Sequence, residues 1–107
     1  MKRGDIVAVS LSGDYGKPRP ALIIQSNLFD AHPSVTVLPI TSELRDAPLF
    51  RILIEPNEEN GLLKRSQVMV DKVHTVKREK LMEKFGVLED TLMLAVNRSL
   101  AIFLGFA

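Results

Sequence analysis

The sequence predicts a small, mostly β (α+β) fold: an antiparallel barrel of five or more short strands with a C-terminal helix. Two patterns predict it. Short β-branched and apolar runs alternate with turn residues through most of the chain, and the last segment switches to a helical apolar stripe. Size agrees. The chain has 107 residues, 46% hydrophobic and 25% charged, which suits one domain spanning 1–107 with a real core.

Asp5 to Leu11 is β-branched and alternates well enough for a first strand. Ser12 to Pro18 is a loop, by its glycine, aspartate and proline content. Ala21 to Gln25 is a continuous apolar run, expected to be central and buried on both faces. Asp30-Ala31-His32-Pro33 reads as a turn. Val35 to Thr41 is a third strand, which Pro39 should place at an edge or bulge. Arg51 to Pro56 is a fourth, Asn57 to Gly61 a polar turn, and Gln67 to Val76 a fifth and longest strand. Lys77 to Phe85 can form a short helix ended by Gly86 in a left-handed cap. A second helix opens at Glu89 or Asp90 and runs to Leu104, stopped by Gly105. Its apolar stripe of Leu92, Met93, Val96, Leu100, Phe103 and Leu104 is widened by Leu94 and Ile102. Only Asn97, Arg98 and Ser99 interrupt it strongly. A helix apolar nearly all round wants burial on more than one side, so a subunit interface is expected.

Composition excludes several classes. There is no cysteine, hence no disulfide framework and no thiol nucleophile. No run of about eighteen apolar residues is present, so no transmembrane helix is expected. Charge begins at Lys2-Arg3 with no long apolar region behind it, unlike a secretion signal, and a cytoplasmic location fits. Net charge is only +1, so any nucleic-acid binding must use a local patch. His32 and His74 are isolated, and neither a Walker loop, a dinucleotide glycine motif nor a serine-hydrolase elbow occurs; no metal or cofactor is expected.

RNA cleavage remains open to such a chain, because the 2′-hydroxyl is a nucleophile built in beside the scissile phosphate. The protein need only align it, stabilise phosphorane charge and assist proton transfer. Arg19, between Pro18 and Pro20 and directly before an apolar strand, sits on restricted backbone. Its planar five-donor guanidinium suits a phosphate. Pairing with a surface carboxylate is its plain alternative. Thr41-Ser42 ends the third strand, where a hydroxyl can donate to phosphate or simply cap a loop amide. Asp71 lies mid-strand and needs a partner, with Arg19 one option. His74 has an imidazole suited to acid–base work, yet stands without a sequence partner. Lys17, Arg45, Arg51, Lys64 and Arg65 can line an RNA backbone, or merely be solvated. Tyr15 and Phe29 can stack on bases, and Phe29 equally fits a core.

Five blocks in order resemble the MazF/PemK family of toxin endoribonucleases. They are Arg3-Gly4-Asp5-Ile6-Val7, Gly16-Lys17 through Gln25, Val35 through Ser42, Gln67-Val68 with Asp71 ahead of Val73 to Val76, and Val96 to Leu100 followed by Leu104-Gly105. The resemblance implies an SH3-like barrel, a homodimer, and sequence-specific, metal-independent cleavage of single-stranded RNA to 2′,3′-cyclic phosphate and 5′-hydroxyl ends. It implies an antitoxin whose flexible acidic tail crosses the groove, and a Ser12–Pro18 loop that moves over the bound chain. Arg19 and Thr41 match the catalytic arginine and threonine. Ser42, Lys17, Tyr15, Gln67, Asp71, Arg51 and Lys64 are the supporting or RNA-contacting candidates. An arginine side chain holds its proton at any working pH and is a poor base, so Arg19 is assigned to phosphorane stabilisation and the base stays open. Two departures stand out: Met69 occupies a place where several PemK-like members carry an arginine, and Glu89 replaces the usual Ser or Asp at the helix start. Two other readings survive: a gyrase poison resembling CcdB, acting through the apolar tail Ile102 to Ala107, and a non-catalytic SH3-like binding module.

Overall fold

The computed structural model describes residues 1–11 and 17–107. Its elements are β1 (Asp5–Val9), β2 (Arg19–Ile23), β3 (Ser34–Thr41), β4 (Arg51–Ile54), β5 (Ser66–Met69), β6 (His74–Lys77), β7 (Leu81–Val87) and α1 (Asp90–Leu104). Single 3-10 turns occupy Asn27–Phe29 and Arg78–Lys80. The strands form one antiparallel sheet ordered β4-β5-β3-β2-β1-β7, with β6 also paired to β3. The mostly β architecture with a C-terminal helix is therefore as expected. Closure is not: among the described residues the end strands β4 and β7 do not pair, so the sheet is open.

Alternation along the central strands builds two cores. One face of the sheet, carrying Ile6, Leu22, Leu38, Ile40 and Val68, packs under Met93 and Val96 of α1. The other face gathers Val7, Val9, Leu11, Ala21, Ile23, Val35 and Val37 beneath Val76 and Leu81. Ala21, Leu22 and Ile23 are all buried, in keeping with a central strand. The helix runs between the expected limits, with Glu89 at its N-cap and Gly105 in the left-handed region at φ 84°. Its outer residues Leu94, Ile102, Phe103 and Leu104 stay about half exposed. No helix among the described residues is long and apolar enough to cross a membrane.

Three expectations change. Pro39 lies in the most central strand, not at an edge. β3 pairs with β6 through Ser34 to Val37 and with β5 through Ile40 and Thr41, so Leu38 and Pro39 fall between the two partners. Ile24 N donates to the Thr36 carbonyl, so by alternation the Pro39 nitrogen faces that gap, where no donor is required. The long strand from Gln67 to Val76 is really two. A turn at Val70-Asp71 breaks it, held by Val70 N to the Phe50 carbonyl (2.9 Å) and Lys72 N to the Met69 carbonyl (3.2 Å).

Finally, Lys77 to Phe85 is a 3-10 turn and a strand, not a helix. Good helix formers there yield to pairing with β1. Gly86 is no helix cap. It lets β7 press on another loop: a Cβ at this position would collide with the Glu59 carbonyl and Asn60 backbone, and Val87 N bonds the Glu59 carbonyl at 2.8 Å.

Candidate functional site

Where β2 begins and β3 ends, the second face opens into a groove of about 820 Å³. Pro20, Pro39, Leu11, Leu62 and Met69 make its apolar lining. Among the described residues, Arg19, Lys64 and Lys72 give it three cationic side chains against one carboxylate, Glu43. A nearly neutral chain thus concentrates positive charge locally.

The register explains why Arg19 and Thr41 share this groove. Ala21 pairs with Pro39, Leu22 with Leu38 and Ile23 with Val37. Continued by two places, the same register sets Arg19 opposite Thr41 on one sheet face. Arg19 is exposed, and among the described residues it pairs with no carboxylate. Thr41 is half-buried. Its Oγ1 accepts a hydrogen bond from Glu43 N at 3.0 Å, which leaves the hydroxyl hydrogen free to be donated elsewhere.

The other candidates divide. Ser42 and Lys64 line the groove. Lys17 is exposed but does not line it, and Tyr15 lies outside the described residues. Gln67 and Arg51 are not in the lining either; their side chains hold the loop that follows Thr41. Asp71 pairs with Lys72 (3.6 Å), not Arg19, and its Oδ1 is buried without a hydrogen-bond partner among the described residues. Arg45 pairs with Glu43 (3.1 Å) and Arg65 with Glu55 (2.8 Å). Phe29 is 55% exposed, in neither core and away from the groove.

Several lining groups have no local signal as site residues in the sequence, Lys72, His74, Leu62 and Phe85 among them. His74 sits opposite Val37 in register and so shares the face of Arg19 and Thr41; its Nδ1 lies 2.8 Å from the Lys72 carbonyl. Leu62 and Phe85 complete the wall. The missed signal was the turn at Val70-Asp71, which restarts the alternation and turns His74 toward the groove. Among the described residues no group of three His, Asp or Glu side chains gathers as a metal site.

The blocks at the two ends of the chain are structural. Gly4 adopts φ 94° and its N–H bonds the Ile23 carbonyl at 2.8 Å. Asp5, buried, accepts from Lys2 N (2.7 Å) and pairs with Lys84 (3.3 Å). Arg3 bridges the Ile24 carbonyl and Asn97 of α1, while Ser99 donates to the Leu49 carbonyl.

Comparison with known proteins agrees with this geometry. The family model described as "PemK-like, MazF-like toxin of type II toxin-antitoxin system" matches residues 2–104. The chain is 51% identical over 108 residues to "Probable endoribonuclease MazF" of Mycolicibacterium smegmatis, covering 100% of this chain and 99% of that protein. It is 30% identical over 110 residues to the endoribonuclease MazF of Staphylococcus saprophyticus, covering 98% and 92%. Among solved structures, the Mycobacterium tuberculosis toxin MazF-mt6 superposes with a TM-score of 0.81 at 25% identity, over 94% of this chain and 96% of that one. A mycobacterial endoribonuclease in complex with its cognate antitoxin gives 0.82 at 22% identity, over 100% and 97%, a likeness of fold. Matched over almost its whole length, the chain belongs to the PemK-like, MazF-like toxins of type II toxin–antitoxin systems.

Proposed function

We propose that this protein is an endoribonuclease toxin that cuts single-stranded RNA at specific sequences without a metal ion. The 2′-hydroxyl gives up its proton as its oxygen attacks the adjacent phosphorus, the bond to the 5′-oxygen breaks and that oxygen takes up a proton, and the products carry a 2′,3′-cyclic phosphate and a 5′-hydroxyl. The observation that carries this reading is that Arg19 and Thr41 line one groove together with Lys64 and Lys72. Arg19 grips the phosphate and neutralises the growing phosphorane charge, and it offers a donor to the departing oxygen. Thr41 donates its free hydroxyl hydrogen to a non-bridging oxygen. The apolar walls, Leu62 and Phe85 among them, suit the faces of unstacked bases. Relatives named as endoribonucleases support the activity.

The partners follow the same chemistry. An antitoxin with an acidic flexible segment would satisfy Arg19, Lys64 and Lys72 and occlude the groove; a similar fold has been solved with its cognate antitoxin. A second copy of the chain would cover the exposed apolar residues of α1.

Purified protein in EDTA should cleave a mixed single-stranded RNA pool, leaving 5′-hydroxyl ends. Arg19→Ala should reduce cleavage about 10³-fold or more with its melting temperature unchanged. Cleavage of an all-2′-deoxy strand at the same rate would refute the mechanism. A gyrase poison acting through the tail Ile102 to Ala107 makes the opposite forecast: Arg19→Ala would still arrest growth.

A further inference from the structure

We infer that Gln67 and Arg51 are positioning residues that aim the Thr41 hydroxyl, rather than contacts for RNA. The inference rests on the reading of Thr41 as a phosphate donor. Gln67 stands directly across from Thr41 in the β3–β5 ladder, and Arg51 follows one strand further, opposite Met69. Neither lines the groove.

What they hold is the loop leaving β3. The Gln67 amide clasps the backbone of Arg45 in both directions: Oε1 accepts from Arg45 N at 3.0 Å, and Nε2 donates to the Arg45 carbonyl at 2.9 Å. A backbone donor and a backbone acceptor on one residue admit only this orientation of the amide. Arg51 Nη1 donates to the same Oε1 at 3.1 Å and to the Glu43 carbonyl at 3.0 Å. Residues 43 and 45 are thus both tied down, by side chains from β4 and β5.

Between Thr41 and those ties lies the bond that matters. Glu43 N donates to Thr41 Oγ1 at 3.0 Å. A hydroxyl accepting one N–H must turn its own hydrogen away from that donor, whereas an unheld hydroxyl samples its rotor freely. With the loop fixed, Glu43 N stays in place and the Thr41 hydrogen is directed before substrate arrives. Such preorganisation accelerates the chemical step without strengthening ground-state binding.

The test is a double-mutant cycle in single-turnover RNA cleavage. Gln67→Met keeps length and apolar bulk but removes the amide. Its kcat should fall between about 10-fold and 100-fold, with KM within about twofold. In a Thr41→Ala background the same change should cost nothing further. Gln67→Glu retains the acceptor for Arg45 N and Arg51 and should recover part of the rate, which also serves if Gln67→Met folds poorly. An equal kcat loss in both backgrounds, or a rise in KM alone, would overturn the inference. If Thr41→Ala itself cleaves normally, the underlying reading of Thr41 falls as well. If Thr41→Ala is crippled while Gln67→Met is not, only the positioning role falls.

Discussion

At the scale of single residues, the proposed mechanism gives one threonine oxygen two duties. Thr41 caps its own loop by accepting from Glu43 N, and that bond leaves its hydrogen available for the phosphate of the proposed mechanism. The two uses weighed from sequence, local cap and phosphate donor, are therefore compatible. Thr41→Val preserves shape and removes the hydroxyl, so cleavage should drop about 10²-fold to 10³-fold, as for loss of one oriented donor. Thr41→Ser keeps the oxygen and should stay within about tenfold. Rates on one defined RNA separate the two. Arg19 was legible because its proline neighbours are a local signal. The contacts of Gln67 were not legible, since a side chain that binds backbone 22 residues away leaves no local trace. His74 shows no partner in the sequence because its partner is a backbone carbonyl, which sequence never displays.

At the scale of elements, the strands up to β4 and the helix α1 could be read from alternation, proline, and the Glu89 and Gly105 caps. The helix interruptions also gain a reason: Asn97 and Ser99 break the apolar stripe because each anchors α1 to another segment. The misreading of Lys77 to Phe85 has a physical cause. Its residues favour a helix locally, and only the distant β1 makes them a strand. Gly86 is the hinge of that error, since glycine after a polar run suggests a cap when in fact it admits a neighbouring backbone. Gly86→Ala should therefore destabilise the protein by about 3 kcal/mol, because the obstruction is main chain and cannot rotate aside. Denaturant unfolding measures it; a shift below about 0.5 kcal/mol would show that the loop yields freely.

At the scale of the whole molecule, charge is nearly balanced overall, while the described lining of the groove is net positive. Binding of RNA should respond to salt as a small cluster does, not as a basic coat does. If Arg19, Lys64 and Lys72 each displace one counterion, log KM should rise against log salt with a slope of about 2. Lys64→Gln should lower that slope by about 0.7 while leaving kcat near the parent value. A slope near zero in steady-state titrations would mean that the cations do not meet phosphates.

Prolines at positions 18, 20 and 39 crowd the part of the molecule where a ligand would lie, and two of them, Pro20 and Pro39, line the groove itself. None offers an N–H. An incoming peptide or nucleic acid can gain little there by main-chain zippering, so grip and discrimination fall to side chains. Amide-detected NMR has no probe at those two residues. The guanidinium Nε–H resonance of Arg19 is the reporter that would register a ligand's arrival.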